Sequence, residues 1–414
     1  MTIKLRLKDA CETIFSGGTP DTRKPEYWDG DFHWLSSGET RNKFINTTEK
    51  TITQKGIDNS STRLAQRGDV LIASAGQGKT RGQTSFTLID TYINQSIISL
   101  RTNIKKLNSL FLFYLLSSKY ETLRNMSDAN SIRGSLTCKM FESMEITVPK
   151  DVHIQGELSS ILYNYDLLIE NNSRHIQILE QTAKLIYDEW FVRFKFPGHE
   201  KVKMIDSELG KIPEGWKVVK FSDIVDNVKD SVTSEKVAKD LFYLPIDLIP
   251  RNSILLTDVA PIEEAQSSLT LFKKEDIVFG AMRAYFHKVI IAPFNGVTRK
   301  TCFILRSKNK NLWSYSYLTL FQEKSIEYAS QHSNGATIPY AVWDNGLAEM
   351  KVILPKNDVL EKFENIVSPI LKYAAQTFLR NTNLIKTRDI LLPKLISGQI
   401  DVSEMNIKVP EVKA

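Results

Sequence analysis

Residues 73–80 read ASAGQGKT and follow the apolar stretch DVLI, the pattern of a strand that runs into a phosphate-binding loop. In a P-loop, a small residue, four free positions and Gly-Lys-Ser/Thr let backbone amides and one lysine bind the phosphates of ATP. Ala73, Gly78, Lys79 and Thr80 satisfy this spacing. A helix must follow, because its N-terminus receives the phosphates. The chain instead continues as RGQTSFTLIDTYI, rich in β-branched and aromatic residues. We therefore predict no nucleotide site; a P-loop ATPase would lose hydrolysis on the change Lys79→Ala.

Other patterns that support catalysis do not occur in the sequence. A DNA methyltransferase needs an acidic or amide residue before Pro-Pro-aromatic and a glycine-rich cofactor loop, and neither is present. Asp344, Glu349 and Lys351 form the nearest group that could serve a nuclease, but their spacing favours solvated structural residues. The three cysteines are isolated and the six histidines are scattered, which argues against disulfides and metal sites. We predict a chain that is not an enzyme.

The composition is that of a globular protein with a modest positive charge. The chain has 414 residues, 42% of them hydrophobic and 25% charged, which is enough for two or three domains. It has no apolar run long enough to span a membrane and no signal peptide, so we expect a cytoplasmic protein without a membrane partner. The net charge is +6, and the positive excess lies in residues 1–150 and 211–356, on either side of an acidic segment. This distribution suits nucleic-acid binding but is equally compatible with solubility alone.

The sequence contains two copies of one module. Four segments of the first half return in the second half at nearly constant spacing: RGDVLI (67–72) as KEDIVF (274–279), IISLR (97–101) as CFILR (302–306), MEITVPK (144–150) as MKVILPK (350–356), and ILEQTAKLI (178–186) as NLIKTRDIL (383–391). Chance similarity would not keep register over this distance. Each copy is therefore predicted to be a strand-rich region followed by a long helix, with shorter helices at 107–124 and 311–329.

Both long helices carry an apolar stripe at alternating spacings of four and three. In the first helix only one position of the stripe is polar, Asn172, and such a residue commonly fixes the register of a helix pair. The second stripe is less regular and contains Pro369 and Pro393, which are expected to kink the helix. Helices of about 35 to 40 residues span roughly 50 to 60 Å. We expect them to pack together as an antiparallel pair; the alternative is that each folds back on its own globular neighbour.

These patterns predict an α+β fold with pseudo-two-fold symmetry, in which two repeated strand-rich domains are separated by two long antiparallel helices that form a coiled coil. The predicted boundaries are domain 1 at 1–150, spacer helix 1 at 151–197, a Gly- and Pro-containing linker at 198–218, domain 2 at 219–356, spacer helix 2 at 357–398, and a C-terminal tail at 399–414.

Five segments together resemble the specificity subunits of Type I restriction-modification systems, and the resemblance covers essentially the whole chain. They are GTPDTRKPEYWDGDFHWLSSGE near the start, RGDVLI, LIYDEWFVRFKFPG at the end of the first long helix, GKIPEGWK at the start of the second half, and LLPKLISGQID at the end of the second long helix. The resemblance implies two target recognition domains that each read half of a split DNA sequence. It also implies that the long helices set the spacing of the half-sites and dock methyltransferase subunits.

Under this resemblance the segment GQGKTRGQT becomes a DNA-facing loop, and the matched segment GAMRAYFHK diverges because the two domains read different sequences. Donor side chains on such loops neutralise phosphates or read base edges. The predicted DNA-contacting residues are Arg23, Lys24, Lys79, Arg81, Gln83, Asn130 and Arg133 in domain 1, and Arg283, Tyr285, His287, Arg299, Lys300, Asn334 and Thr337 in domain 2. Trp190 and Phe191 are predicted to pack at the end of the helix seam or to contact a methyltransferase subunit.

The resemblance also implies the partners and their cofactors. The expected partners are double-stranded DNA, two methyltransferase subunits and two restriction subunits. S-adenosylmethionine, ATP and Mg²⁺ would belong to those subunits, so no cofactor is expected in this chain. The alternative hypothesis is a non-catalytic scaffold or adaptor whose duplicated domains bind protein. Binding to duplex DNA that weakens steeply with salt would separate the two.

Overall fold

The fold is described from a computed structural model of the chain, which describes residues 2–76, 78–128, 134–254, 256, 258–266 and 268–400. The chain divides into two compact units. Unit 1 contains residues 1–167 and 385–414, and unit 2 contains residues 168–384. Both boundaries fall within long helices.

Unit 1 is built on two mixed sheets and one two-stranded ladder. Its strands are β1 (Thr2–Arg6), β2 (Cys11–Ser16), β3 (Trp28–Leu35), β4 (Phe44–Ile45), β5 (Lys50–Ile52), β6 (Arg63–Ala65), β7 (Val70–Ala73), β8 (Thr84–Thr87), β9 (Thr91–Ile93), β10 (Ile97–Thr102) and β11 (Glu145–Pro149). The sheets have the orders β2-β10-β7-β8-β4 and β5-β3-β9-β6, and β1 pairs with β11. Strand β7, VLIA, is buried at every position, as expected for an apolar run at the centre of a sheet.

The helices of unit 1 are α1 (Leu7–Ala10), α2 (Gln54–Asp58), α3 (Ser109–Ser118), α4 (Tyr120–Asp128), α5 (Cys138–Ser143) and the first part of α6 (Val152–Tyr187). Helices α1, α3 and α5 pack against the five-stranded sheet, whereas α2 contacts β3 of the four-stranded sheet. Helix α3 is apolar on nearly all sides and seven of its residues are buried, so it forms the centre of the unit. The same core contains Leu395 and Ile396 from the end of the chain's last helix.

Unit 2 repeats this architecture and adds two hairpins. Its strands are β12 (Met204–Ser207), β13 (Gly210–Pro213), β14 (Lys217–Lys220), β15 (Val225–Val228), β16 (Ser231–Thr233), β17 (Phe242–Tyr243), β18 (Ser268–Phe272), β19 (Ile277–Gly280), β20 (Val289–Ile291), β21 (Gly296–Arg299), β22 (Cys302–Ser307), β23 (Ser333–Asn334), β24 (Tyr340–Ala341) and β25 (Lys351–Leu354). The orders are β15-β22-β19-β20 and β16-β18-β21-β17, with the pairs β12-β13, β14-β25 and β23-β24. Its helices are the second part of α6, α7 (Trp313–Leu320), α8 (Glu323–Gln331) and most of α9 (Asn357–Ile396).

The strand pairing confirms the predicted duplication. Strands β7 and β19 carry the repeated RGDVLI and KEDIVF segments, and each pairs antiparallel with the strand that carries the second repeat, β10 or β22. Likewise β11 and β25 each close a two-stranded ladder, β11 with β1 in unit 1 and β25 with β14 in unit 2. The predicted helices at 107–124 and 311–329 correspond to α3 with α4 and to α7 with α8.

The two long helices contact each other in antiparallel directions. In unit 2, the Asn172 amide donates to the amide oxygen of Asn381 at 2.9 Å, and Asn381 donates to the carbonyl of Ile169 at 3.0 Å. Trp190 near the end of the first helix packs on Phe363 near the start of the second, with ring centroids 5.7 Å apart. The polar position of the seam therefore pairs with a second polar position, as its predicted role requires. Both helices also contribute residues to the globular core of each unit, so contacts of both expected kinds occur.

Two local features add to the expectations. Helix α9 is continuous from Asn357 to Ile396, so Pro369 and Pro393 do not interrupt it, and a kink at either proline stays a prediction. Both prolines are exposed, where the lost N–H bond faces water. The segment predicted as a plain linker contains the hairpin β12-β13, and its Trp216 packs on Phe196 at a centroid distance of 5.0 Å. The glycines and prolines that suggested a linker belong to the turns of this hairpin. Its apolar residues, which pack on the unit, were not recognised from the sequence.

Candidate nucleic-acid interface

Unit 1 brings several predicted loop segments together, and we term them loop surface 1. It consists of residues 17–24, 74–83, 93–96 and 134–136, without Gln77. The amide of Gly18 donates to the carbonyl of Ile93 at 3.0 Å, and the amide of Ser74 donates to the carbonyl of Ser96 at 2.8 Å. The loop after β7 and the loop after β2 are thereby joined through the turn between β9 and β10.

Unit 2 brings the corresponding loops together, and we term them loop surface 2. It consists of residues 281–288, 299–301 and 333–341. The amide of Ala281 donates to the carbonyl of Thr301 at 2.8 Å, and the amide of Arg283 donates to the carbonyl of Pro339 at 2.7 Å. All seven residues predicted for DNA contact in the second domain lie on this surface.

The two surfaces share a backbone frame and differ in side chains. Two hydrogen bonds recur at matched positions: Ser74 to Ser96 and Ala281 to Thr301 at 2.8 Å, and Leu136 to Ser74 and Ala341 to Ala281 at 2.9 Å. The segment that begins at the donor of the first bond reads SAGQGKTRGQ (74–83) in unit 1 and AMRAYFHK (281–288) in unit 2. The same scaffold thus presents two different chemistries.

The segment with P-loop spacing is a hairpin loop between antiparallel strands. Strand β8 follows it and pairs with β7, with Val70 opposite Phe86, so the helix that a phosphate site requires is replaced by a strand. Gly78 and Gly82 have φ values of 60° and 87°, which explains the glycines by turn geometry. The prediction that this segment is not a nucleotide site agrees with the fold.

Helix α4 holds this loop from behind. Tyr120 donates its hydroxyl to the carbonyl of Lys79 at 2.8 Å, and Arg124 donates to the carbonyl of Gly78 at 2.5 Å. Asp128 accepts a hydrogen bond from Arg81. The three helix residues are spaced by four and therefore lie on one face. The spacing of these three polar residues is a sequence signal that α4 holds a neighbouring loop. The helix was predicted from the sequence, but no role was assigned to this face.

The candidates of unit 1 fall into three groups. Lys79 is exposed at the tip of its loop. Arg81 is only 11% exposed; it pairs with Asp128 and donates to the carbonyl of Gly134, so it positions the loop. The side chain of Gln83 is half-buried, and its amide oxygen has no hydrogen-bond partner among the described residues. Asn130 and Arg133 lie outside the described residues.

Arg23 and Lys24 lie on an exposed turn and have partners within that turn. Arg23 donates two hydrogen bonds to the carboxylate of Asp21 at 3.0 Å, and these bonds lower the pKa of Asp21 to about 2. Lys24 donates to the hydroxyl of Tyr27 at 3.1 Å. The Arg23 side chain is 87% exposed. It can therefore bind a phosphate in place of the Asp21 carboxylate.

In unit 2, His287 anchors its loop and does not face outward. It is 8% exposed; its Nε2 donates to the carbonyl of Phe321 at 2.9 Å, and its Nδ1 lies 3.3 Å from a carboxylate oxygen of Glu323. Burial lowers the pKa of His287, while Glu323 acts in the opposite direction. The ring of His287 is enclosed as the loop stands, so the structure does not present it for the predicted direct DNA contact. Sequence reasoning could not distinguish this histidine from an exposed one.

The other candidates of unit 2 are accessible. Arg283 is half-buried, Tyr285 is 53% exposed, and the remaining four are exposed: Arg299, Lys300, Asn334 and Thr337. Burial raises the pKa of Tyr243, and the nearby Arg299 guanidinium opposes this shift. Loop surface 2 therefore combines cations, an amide, a hydroxyl and an aromatic ring.

Trp190 and Phe191 are buried within unit 2, at 8% and 6% exposure. Phe191 makes edge contacts with Phe363 at 4.7 Å and with Tyr315 at 4.9 Å. The packing interpretation is confirmed, and little of either ring is left for a partner subunit.

Each unit has a polar groove at the opposite end of the strand that leads into its loop surface. The groove of unit 1 has a volume of about 520 Å³ and includes Asp69 and Arg101, at the start of β7 and the end of β10. The groove of unit 2 has a volume of about 470 Å³ and includes the matched Asp276 and Arg306. The start of a long helix lines each groove, through Ser159 in unit 1 and residues 361–372 in unit 2. The repeated grooves were not identified from sequence, although the repeated Asp and Arg marked their position.

Among the described residues, no group of three His, Cys, Asp or Glu side chains could hold a metal ion. In the same part of the chain, every helix is too short or too polar to cross a membrane.

Comparison with known proteins places these features in one family. The sequence model for the Type I restriction modification DNA specificity domain matches residues 4–181 and 213–375. The MjaIX specificity subunit of a type I restriction enzyme from Methanocaldococcus jannaschii is 27% identical, covering 97% of this chain and 94% of the relative. The HindI specificity subunit of Haemophilus influenzae is 20% identical, covering 89% and 94%. The crystal structure of the Type-I restriction-modification S subunit from M. genitalium has a similar fold, with a TM-score of 0.64 at 14% identity over 95% of this chain and 96% of that one.

Proposed function

Because the chain belongs to the family of Type I restriction modification DNA specificity domains, we propose that each unit reads one half of a split DNA sequence. The chain is the specificity subunit of a type I restriction-modification system, which recognises DNA and does not catalyse a reaction. The proposal adds where the reading takes place: loop surface 1 binds one half-site and loop surface 2 binds the other.

The observation that carries this proposal is the shared backbone frame with different side chains. If both units bound one common ligand, the residues that face it would be expected to match. Instead the frame hydrogen bonds match and the exposed groups do not, which is the expected result for two readers of different sequences. Exposed cations on both surfaces, such as Lys79 and Lys300, can neutralise phosphates.

We also infer that the partners bind away from the loop surfaces. In each unit the groove and the loop surface lie at opposite ends of one strand, and four residues of strand span about 13 Å. Two grooves at matched positions suit two copies of one partner, so we propose that each receives one methylating subunit. S-adenosylmethionine, ATP and Mg²⁺ would bind to the methylating and restriction subunits.

The test is an exchange of one domain in the assembled complex. Residues 219–356 would be replaced by the matching domain of a related specificity subunit, and methylated adenines would be mapped in a host that carries the complex. We expect one half of the target sequence to change and the other half to stay. A change in both halves would show that the units do not read independently.

Duplex binding by the assembled complex provides the second measurement. Affinity should fall steeply between about 50 and 200 mM salt, because bound phosphates release counterions. A complex that binds no duplex under these conditions would favour the adaptor hypothesis.

A further inference from the structure

Loop surface 2 exposes large apolar side chains among its polar groups. Tyr285 is 53% exposed, Ile338 is 44% exposed and Tyr340 is 40% exposed. The backbones that carry them are adjacent, because Met282 forms a bridge with Tyr340 and the amide of Arg283 donates to the carbonyl of Pro339. The exposed groups therefore belong to one patch.

The loop that carries Tyr285 is held in a strained conformation. Arg283 and His287, on either side of it, have φ values of 53° and 52°, in the left-handed region that non-glycine residues rarely adopt. The amide of Arg283 and the ring of His287 are both tied down by hydrogen bonds. Such strain persists only where the surroundings enforce it, and it is concentrated at functional sites.

The neighbours of Tyr285 face inward and leave it at the tip. Phe286 lies under the guanidinium of Arg251, which is 3.7 Å from the ring centroid. Tyr285 contacts the edge of Phe286 at 4.8 Å. Tyr340 is restrained, because its hydroxyl donates to the sulfur of Met282 at 3.2 Å. Of the three exposed apolar side chains in the patch, Tyr285 and Ile338 are therefore the two that can contact a ligand.

The charges around the patch indicate what that ligand is. Arg299 and Lys300 are exposed on the adjacent segment of loop surface 2, and Ala281 and Met282 bond to the carbonyl of Thr301 beside them. An apolar point beside cations suits a polyanion that has apolar surfaces inside it. Duplex DNA has this arrangement, since its phosphates surround base edges, thymine methyl groups and base faces.

We propose that Tyr285 and Ile338 contact the apolar part of a base pair in the half-site that unit 2 reads. The contact is either with a thymine methyl group or with a base face exposed at a deformed step, and both follow from the same apolar chemistry. The inference rests on the proposed function. The matched segment of unit 1 has Gly76, Gly78 and Lys79 in place of an aromatic residue, so this mode of reading belongs to one half-site.

The experiment uses the assembled complex and a duplex that contains its mapped target. The variants are Tyr285→Ala, Ile338→Ala and the conservative Tyr285→Phe; Tyr373→Ala, which removes a 47% exposed tyrosine on the second long helix, is the matched control. Tyr285→Ala should weaken binding about tenfold or more, the range found when an aromatic group that stacks on a base is removed. Tyr285→Phe and Tyr373→Ala should bind as the wild type does.

Salt dependence separates an apolar contact from a phosphate contact. Tyr285→Ala should leave the slope of affinity against salt unchanged, because no counterion release is lost. The loss of discrimination should be confined to base substitutions in one half-site. Unchanged affinity, a reduced salt slope, or equal effects in both half-sites would each overturn the inference, while normal binding by the wild-type complex would leave the proposed function standing.

Two DNA probes identify the apolar group. If uracil in place of thymine weakens the wild type but not Tyr285→Ala, the contact is with the methyl group. If 2-aminopurine fluorescence rises on binding the wild type but not Tyr285→Ala, the contact is with a base face. If neither probe distinguishes the two proteins at any position of the half-site, Tyr285 does not contact a base.

Discussion

Arg101 donates two hydrogen bonds to the carboxylate of Asp69, at 3.0 and 2.9 Å. The aspartate side chain is 3% exposed and also accepts a bond from Ser99 at 3.0 Å. In unit 2, Arg306 bonds to Asp276 in the same way, with both distances at 2.7 Å. These bonds raise the pKa of both arginines. Each pair ties the start of one central strand to the end of its neighbour.

Removal of either arginine should destabilise its own unit. Arg101→Met keeps most of the apolar stem and leaves a buried carboxylate without its charge partner, which costs about 3 kcal/mol in the free energy of unfolding. Urea denaturation of the variant measures this. The control is Arg6→Met, since the Arg6–Glu145 pair is exposed at 65% and 55% and should contribute less than about 1 kcal/mol. Equal losses in the two variants would contradict the structural role of the buried pair.

The asparagine pair of the long helices should behave as a coupled unit. Asn172→Leu leaves the buried Asn381 without one partner, and Asn381→Leu leaves Asn172 without its acceptor, so each single change should cost about 1 kcal/mol or more. The double change replaces both polar groups with apolar ones and should recover much or all of that loss. A double-mutant cycle of thermal unfolding gives the coupling. Additive losses would mean that the two amides act separately.

The duplication could be predicted from sequence because it rests on buried, repeated residues. Asp69 and Asp276 precede apolar strands whose pattern is kept in both copies, and the structure places each beside its arginine. The helix seam was readable for the same reason, since its stripe reports burial directly. Asn172 could be recognised from the sequence as the polar position of the first stripe. Its partner Asn381 could not, because the prolines and the irregular spacing obscured the second stripe.

The interface could be predicted at the level of segments and not of single residues. Arg81 and Lys79 are both cations in one loop, yet one is enclosed by Asp128 and the other is exposed. His287 and Tyr285 are two residues apart, and only the tyrosine faces outward. Local sequence does not encode these differences, because they depend on helices that are distant in the chain.

Lys79 and Arg81 should affect DNA binding in different ways. Lys79→Ala removes an exposed charge and should lower the slope of affinity against salt by about one unit, for any duplex sequence. Arg81→Met releases the loop from Asp128 and should weaken binding to the target with the slope retained, because its charge is already paired. Salt titrations of duplex binding compare them, with Lys105→Ala as an exposed control outside loop surface 1. Identical slopes for Lys79→Ala and the wild type would exclude a phosphate contact at Lys79.

His287 should make unit 2 less stable in mild acid. Burial lowers the pKa of His287 below its ordinary value of 6.5, against the opposing effect of Glu323. Below about pH 6.5 the unfolded chain binds a proton at this histidine more readily than the folded chain does. The contribution of His287 to the free energy of unfolding is therefore complete above about pH 6.5 and is lost as the pH falls.

Urea unfolding at pH 7.5 and pH 5.5 measures this effect. His287→Gln keeps a donor for the carbonyl of Phe321 and should reduce the difference between the two pH values. His175→Gln, at an exposed position of the first long helix, should leave the difference as it is in the wild type. A difference that survives in His287→Gln would assign the acid sensitivity to another group.

The matched grooves should determine how many methylating subunits bind. Arg67 and Lys274 occupy equivalent positions at the rims of the two grooves, and both are exposed. If each groove receives one copy of the partner, Arg67→Glu should leave a complex with one methylating subunit, and Lys274→Glu should do the same. The double change should leave none. Native mass spectrometry of the purified complexes counts the subunits directly.

The matched control reverses a charge outside the grooves. Lys4→Glu changes an exposed residue of β1 that lines neither groove and should assemble as the wild type does. The single variants should still bind duplex DNA. The substituted groove and the loop surface of the same unit lie at opposite ends of a strand, so the change does not alter the loop surface. Full occupancy in the double variant would place the docking surface elsewhere on the chain.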